Sequence, residues 1–212
     1  MKILNLLNLH ILGIFYLINL FDFAAQDDNS TDRRVYETKR VMHKQAIDSI
    51  LKYESRIKQY DLVTIMIKKI IQILKINRDI LVKNAILAGD YIPDNKELRE
   101  AYLLSLENSA FISDLALRFP DLVQLFLSKT SDALPVIKWS ITFATRSSIL
   151  PNREHRLFHL ASQEFGIIEK EQDYINPHRE NLEKKLSQEN IKVHKKAKKK
   201  LPKSPRMSKI DL

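Results

Sequence analysis

The chain has 212 residues, 44% of them hydrophobic, with a formal net charge of +9, three glycines and no cysteine. That length suffices for one domain with a real core. The missing cysteines exclude disulfides, thiolate zinc sites and cysteine nucleophiles, and three glycines cannot build a P-loop, a dinucleotide fingerprint or a hairpin-rich β fold. The charge is uneven: residues 179–212 carry twelve Lys or Arg against four Asp or Glu, a balance of +8, so the body is nearly neutral.

Residues 1–25 have the layout of a signal peptide. Lys2 supplies a positive start, Ile3 to Phe21 is mostly apolar, and Ala24-Ala25 precedes an acidic stretch. Phe23 fits poorly three residues before such a cut, and an uncleaved signal anchor is the alternative. Residues 26–34 read as a polar linker. They contain the sequon Asn29-Ser30-Thr31, a glycosylation acceptor in the secretory route or else an ordinary linker with a helix cap at Thr31 or Asp32.

From about Asp32 to Lys58, apolar residues such as Val35, Met42, Ala46, Ile47, Ile50, Leu51 and Ile57 recur at helical spacing. Tyr60 to Val82 is apolar on most faces. Four cationic side chains within it, Lys68, Lys69, Lys75 and Arg78, argue against a membrane span and predict the central helix of a bundle. The segment Ile86 to Pro93 predicts its end through Gly89 and Pro93, and Asp94-Asn95-Lys96-Glu97 resembles a capping box opening the next helix. Between Glu107 and Trp139 the apolar pattern is densest. Pro120 redirects the chain and Pro135 fits the first turn of a further helix. Asn152 to Glu164 reads as helical and closed by Gly166. The prediction is an all-α fold: a compact multi-helix bundle over residues 35–178, a central apolar helix, and a basic, partly disordered C-terminal tail over residues 179–212.

Little chemistry is legible. His155 and His159 lie four apart without a third ligand or the HExxH pattern, so surface histidines are the better reading. Ser140, Ser147 and Ser148 lack a glycine elbow. Asp114 and Glu107, two turns apart, are expected to be solvated or ion-paired to residues such as Arg118. No catalytic residue, metal, cofactor or small-molecule substrate is expected. The basic run Lys192 to Lys203 has no interleaved aromatics, which disfavours nucleic acid. The chain ends Lys209-Ile210-Asp211-Leu212, a KDEL-like retrieval signal with Ile210 where an acid is usual, and a KDEL receptor is the partner it implies.

An ordered series of segments resembles the coiled-coil domain-containing protein 134 family: Glu107 to Phe111, Leu117 to Pro120, Lys138 to Phe143, Ala161 to Ile167, Glu169-Lys170 and Asn176-Pro177. The match covers roughly residues 35–178. The resemblance implies a non-enzymatic accessory factor of the endoplasmic reticulum lumen, partly secreted, that binds the chaperone endoplasmin or its nascent chain and shields it from excess N-glycosylation. Its second implication is a secreted, cytokine-like factor damping MAP-kinase signalling, and a third is a nuclear adaptor. Phe111, Arg118, Phe119 and Trp139 are the expected partner surface. The family's sequon after the Trp–Phe segment is absent, since Ala144-Thr145-Arg146-Ser147 holds no Asn.

Overall fold

A computed structural model describes residues 29–178. Six α-helices account for the regular structure of that region: α1 (Asn29–Leu51), α2 (Arg56–Lys83), α3 (Lys96–Arg118), α4 (Pro120–Leu127), α5 (Ala133–Thr145) and α6 (Asn152–Glu164). The fold is all-α, and no described helix is long and apolar enough to cross a membrane. The compact unit that contains the helices runs to Tyr174, and residues 175–178 belong to the following unit.

Three boundaries differ from the sequence reading, each for a local reason. The first helix begins at Asn29, so residues 29–34 are helical rather than linker, and Asp32 is buried against the Arg99 guanidinium at 2.8 Å. That helix stops at Leu51, because Ser55 adopts an extended conformation and accepts the Lys58 N–H at the start of α2. The Gln59 side chain donates to the Tyr53 carbonyl and ties the intervening turn down. At the far end α2 closes at Lys83, before Gly89. Ala85 sits in the left-handed region (φ 56°), with Ile86 N–H on the Leu81 carbonyl and Ala85 N–H on that of Val82. This is a Schellman cap built on alanine, with the Asn84 amide adding a bond to Ile80.

The expected starts of α3 and α4 are observed. Asn95 accepts the Leu98 N–H as N-cap of α3. Phe119 (φ −135°, ψ 53°) leaves the helical region and Pro120 opens α4, as a proline without an N–H can at a first helical position. Gly166 (φ 68°) closes α6 through a second Schellman cap, Ile167 N–H to Ser162 O.

The helix at the centre is α3 and not the more apolar α2. α3 packs against each of the other five, whereas α2 presents Ile57, Ile65, Ile76 and Val82 to solvent. Composition misleads because α3 mixes apolar residues with serines. Ser105, Ser109 and Ser113 lie four apart, fully buried, each donating to the carbonyl one turn back. Small side chains with internally satisfied hydroxyls let α5 approach closely, and the Ser109 hydroxyl also reaches the Ser140 carbonyl at 3.0 Å. Tyr102 edges onto the Phe143 ring and bonds to the Asp90 carbonyl and the Ser147 hydroxyl, holding the α2–α3 loop to the end of α5.

Candidate functional site

The four residues expected to form a partner surface divide into two kinds. Phe111 and Phe119 are 1% and 0% exposed, so neither can meet a partner. They are apolar side chains on the inner faces of α3 and its C-terminal turn, where burial of each stabilises by roughly 2–3 kcal/mol. Arg118 and Trp139 do reach solvent. Arg118 stands 3.6 Å from the Asp48 carboxylate of α1. Trp139 is half-buried, stacked on Phe143 at 5.3 Å, with the Arg78 guanidinium over its ring at 5.8 Å.

Trp139 belongs to a longer seam where α2 meets α4 and α5. Arg56 pairs with Asp121, Lys129 lies over the Tyr60 ring at 5.3 Å, and Lys75 pairs with Asp132 at 2.5 Å. The pairs ascend together along both segments, so α5 runs in the same direction as α2. The Lys75 ammonium holds the Asp132 carboxyl below the usual carboxylate range.

A second assembly is buried where α1 crosses α3 and α6. Arg40, 5% exposed at its side chain, reaches Asp114 at 2.5 Å and Glu154 at 3.2 Å. Three residues on, His43 stacks flat on Phe111 at 4.0 Å and meets Glu107 at 3.3 Å. Burial works against the Arg40 charge, but Asp114 and Glu154 outweigh it and hold its pKa above the usual guanidinium range. Burial also pushes the Tyr36 phenol far up and the His43 imidazole down, the latter against the opposing pull of Glu107. The Tyr36 hydroxyl, Glu154 Oε2 and His43 Nδ1 lack a well-formed hydrogen bond. Asp114 is thus ion-paired, but to Arg40 of α1 rather than to Arg118, while Glu107 meets the His43 imidazole of the same helix.

The sequence reading missed Tyr36, Arg40, His43 and Glu154. Their signal was present: Asp32, Tyr36, Lys39, Arg40 and His43 recur at three- and four-residue spacing and are all buried. A polar stripe at helical period is ordinarily taken as the solvated face. Here it faces inward, and Ile57, counted on the apolar stripe of the first helix, is 75% exposed at the start of α2.

His159 pairs with Glu171 at 2.9 Å, and no group of His, Cys, Asp or Glu among the described residues could hold a metal ion. A shallow open groove lies beside the α6 cap, lined by Gln124, Gln163, Phe165, Ile168 and Lys170. The Lys209–Leu212 ending, residues 1–25 and the tail fall outside the described residues. Asn29 is the first residue of α1.

Fold and site together define an all-α helical protein whose buried polar groups serve packing between helices. The family model described as "ERK and JNK pathways, inhibitor" matches residues 22–208. Over 153 residues the chain is 33% identical to Coiled-coil domain-containing protein 134 of Xenopus tropicalis, covering 71% of this chain and 67% of that protein. Over 146 residues it is 28% identical to the Mus musculus protein of the same name, covering 68% and 64%. No solved structure matches the chain. The chain belongs to the coiled-coil domain-containing protein 134 family.

Proposed function

We propose that the chain is a non-enzymatic regulator that lowers signalling through the ERK and JNK pathways by binding a protein partner on its helical body. The observation that carries this reading is the family-model match, which spans residues 22–208 and is described as an inhibitor of those pathways. The expected role as a chaperone accessory acting on endoplasmin takes no support from that description, which speaks of signalling. The signalling alternative raised by the resemblance becomes the favoured reading.

The test is direct. Phosphorylated ERK and JNK are measured in stimulated cells that express the full chain and in cells given the purified protein. A fall in both phosphorylated kinases is the expected result; unchanged levels under both conditions overturn the reading. Delivery follows from the two ends of the chain. A leader over residues 1–25 and an imperfect retrieval signal at Lys209–Leu212 fit a protein held in the lumen and partly released. An internally tagged chain with and without its last four residues measures this: retention of the intact form and secretion of the truncated one is expected, and equal secretion of both removes the retrieval signal.

A further inference from the structure

The α2–α5 seam around Trp139 carries more cation than its own carboxylates neutralise. Lys75 has Asp132. Arg78, Lys138 and Arg146 are exposed, and none has a carboxylate within 4 Å among the described residues. On α5, positions 138, 139, 142 and 146 follow one stripe. On α2, Lys75, Arg78 and Val82 follow the stripe beside it, and Val82 is 58% exposed. Trp139 rests on the buried Phe143 and lies under Arg78, and helical spacing puts Lys138 and Arg146 along the Trp139 side of one segment and Lys75 and Val82 along the Arg78 side of the other.

We propose that this seam docks an acidic, apolar-bearing segment of a protein partner, with carboxylates on the cationic rim and an apolar side chain against Trp139. The proposal rests on the reading that the chain acts by binding a protein, and names the place and the chemistry. Charge complementarity selects the occupant. A second copy would bring the same cations to the seam and be repelled, and a lone tryptophan gives no series of platforms for bases. A membrane is disfavoured by shape, because the ring is half-buried between two helices and roofed by Arg78 rather than projecting as an anchor. Tryptophan and arginine are also the residue types in which binding energy concentrates at protein interfaces.

Trp139 is the single tryptophan of the chain, so its emission reports the seam without a label. Full-length protein is titrated with a synthetic peptide alternating Glu and Leu, with its Gln-for-Glu counterpart, and with phosphatidylserine–phosphatidylcholine vesicles. The expected result is a saturable emission change with the Glu peptide alone, weakened by salt. Lys138→Glu, a substitution on an exposed side chain, should weaken binding about tenfold, as loss and reversal of a rim charge does. No emission change, equal change with the neutral peptide, or a response to vesicles alone overturns the proposal. Kinase phosphorylation separates the two readings. Should the native chain leave both pathways unchanged while the acidic peptide still binds, the signalling reading fails and the docking seam stands. If the native chain and Lys138→Glu damp signalling equally, the seam is not the surface used.

Discussion

Ala85 and His43 show how single residues set local stability here. Ala85 holds a left-handed conformation that an L side chain adopts at a cost of about 1–2 kcal/mol and glycine adopts freely. Ala85→Gly should therefore stabilise the protein by about 0.5–1 kcal/mol after the entropy of the more flexible unfolded chain is offset. Thermal or urea unfolding of the two proteins checks it. His43 is buried neutral, its pKa lowered by burial despite Glu107. The unfolded chain then binds a proton that the folded one refuses as pH falls below the ordinary histidine value of about 6.5. Stability is fully present above that value and is lost on acidification, by at most about 1.4 kcal/mol per pH unit. Unfolding midpoints should fall between pH 6.5 and 5 in the native chain, and His43→Leu should flatten that slope. The core phenylalanines give a third outcome: Phe111→Ala should cost about 3–5 kcal/mol, as a core truncation does, whereas a surface residue would cost little.

Between elements, the attachment of α1 differs in kind from that of the others. Its last turns bury Ala46, Ile47 and Ile50, but its first four turns rest on Asp32, Tyr36, Arg40 and His43. Removing one partner of a buried pair leaves charge uncompensated, so Arg40→Met, which strands Asp114 and leaves Glu154 only its 3.5 Å contact with Arg153, should cost about 3–5 kcal/mol. Arg118, 3.6 Å from the exposed Asp48, is the contrast: Arg118→Ala should change stability by less than about 1 kcal/mol. Urea melts of the two variants measure the difference. Much of this organisation was legible from period and punctuation. Asn95, Pro120 and Gly166 mark α3, α4 and α6 closely because capping and proline chemistry are local. The centre of the bundle was not legible. Which helix is innermost depends on contacts made by Ser105, Ser109 and Ser113, whose hydroxyls look polar in sequence and are satisfied by their own helix. The inward charge of α1 was hidden for a related reason: Arg40 is buried only because Asp114 and Glu154, 74 and 114 residues away, arrive to meet it.

At the scale of the whole molecule, the six helices of the described residues enclose a core while leaving one long cationic and aromatic seam on the outside. The internally tagged chain measures which compartment the protein enters, and the phosphorylation assay measures its effect on signalling. The polar underside of α1 also bears on synthesis. This helix leaves the ribosome before the other described helices, yet its partners on α3 and α6 follow only after many more residues have been made. During that interval an apolar underside would be a sticky surface waiting for misassociation. Asp32, Lys39, Arg40 and His43 keep the waiting helix hydrated, and they become buried only once residues from the far end of the domain close over them. The first described helix to be made thus carries buried charges whose partner Glu154 is among the last residues of the helical unit to follow.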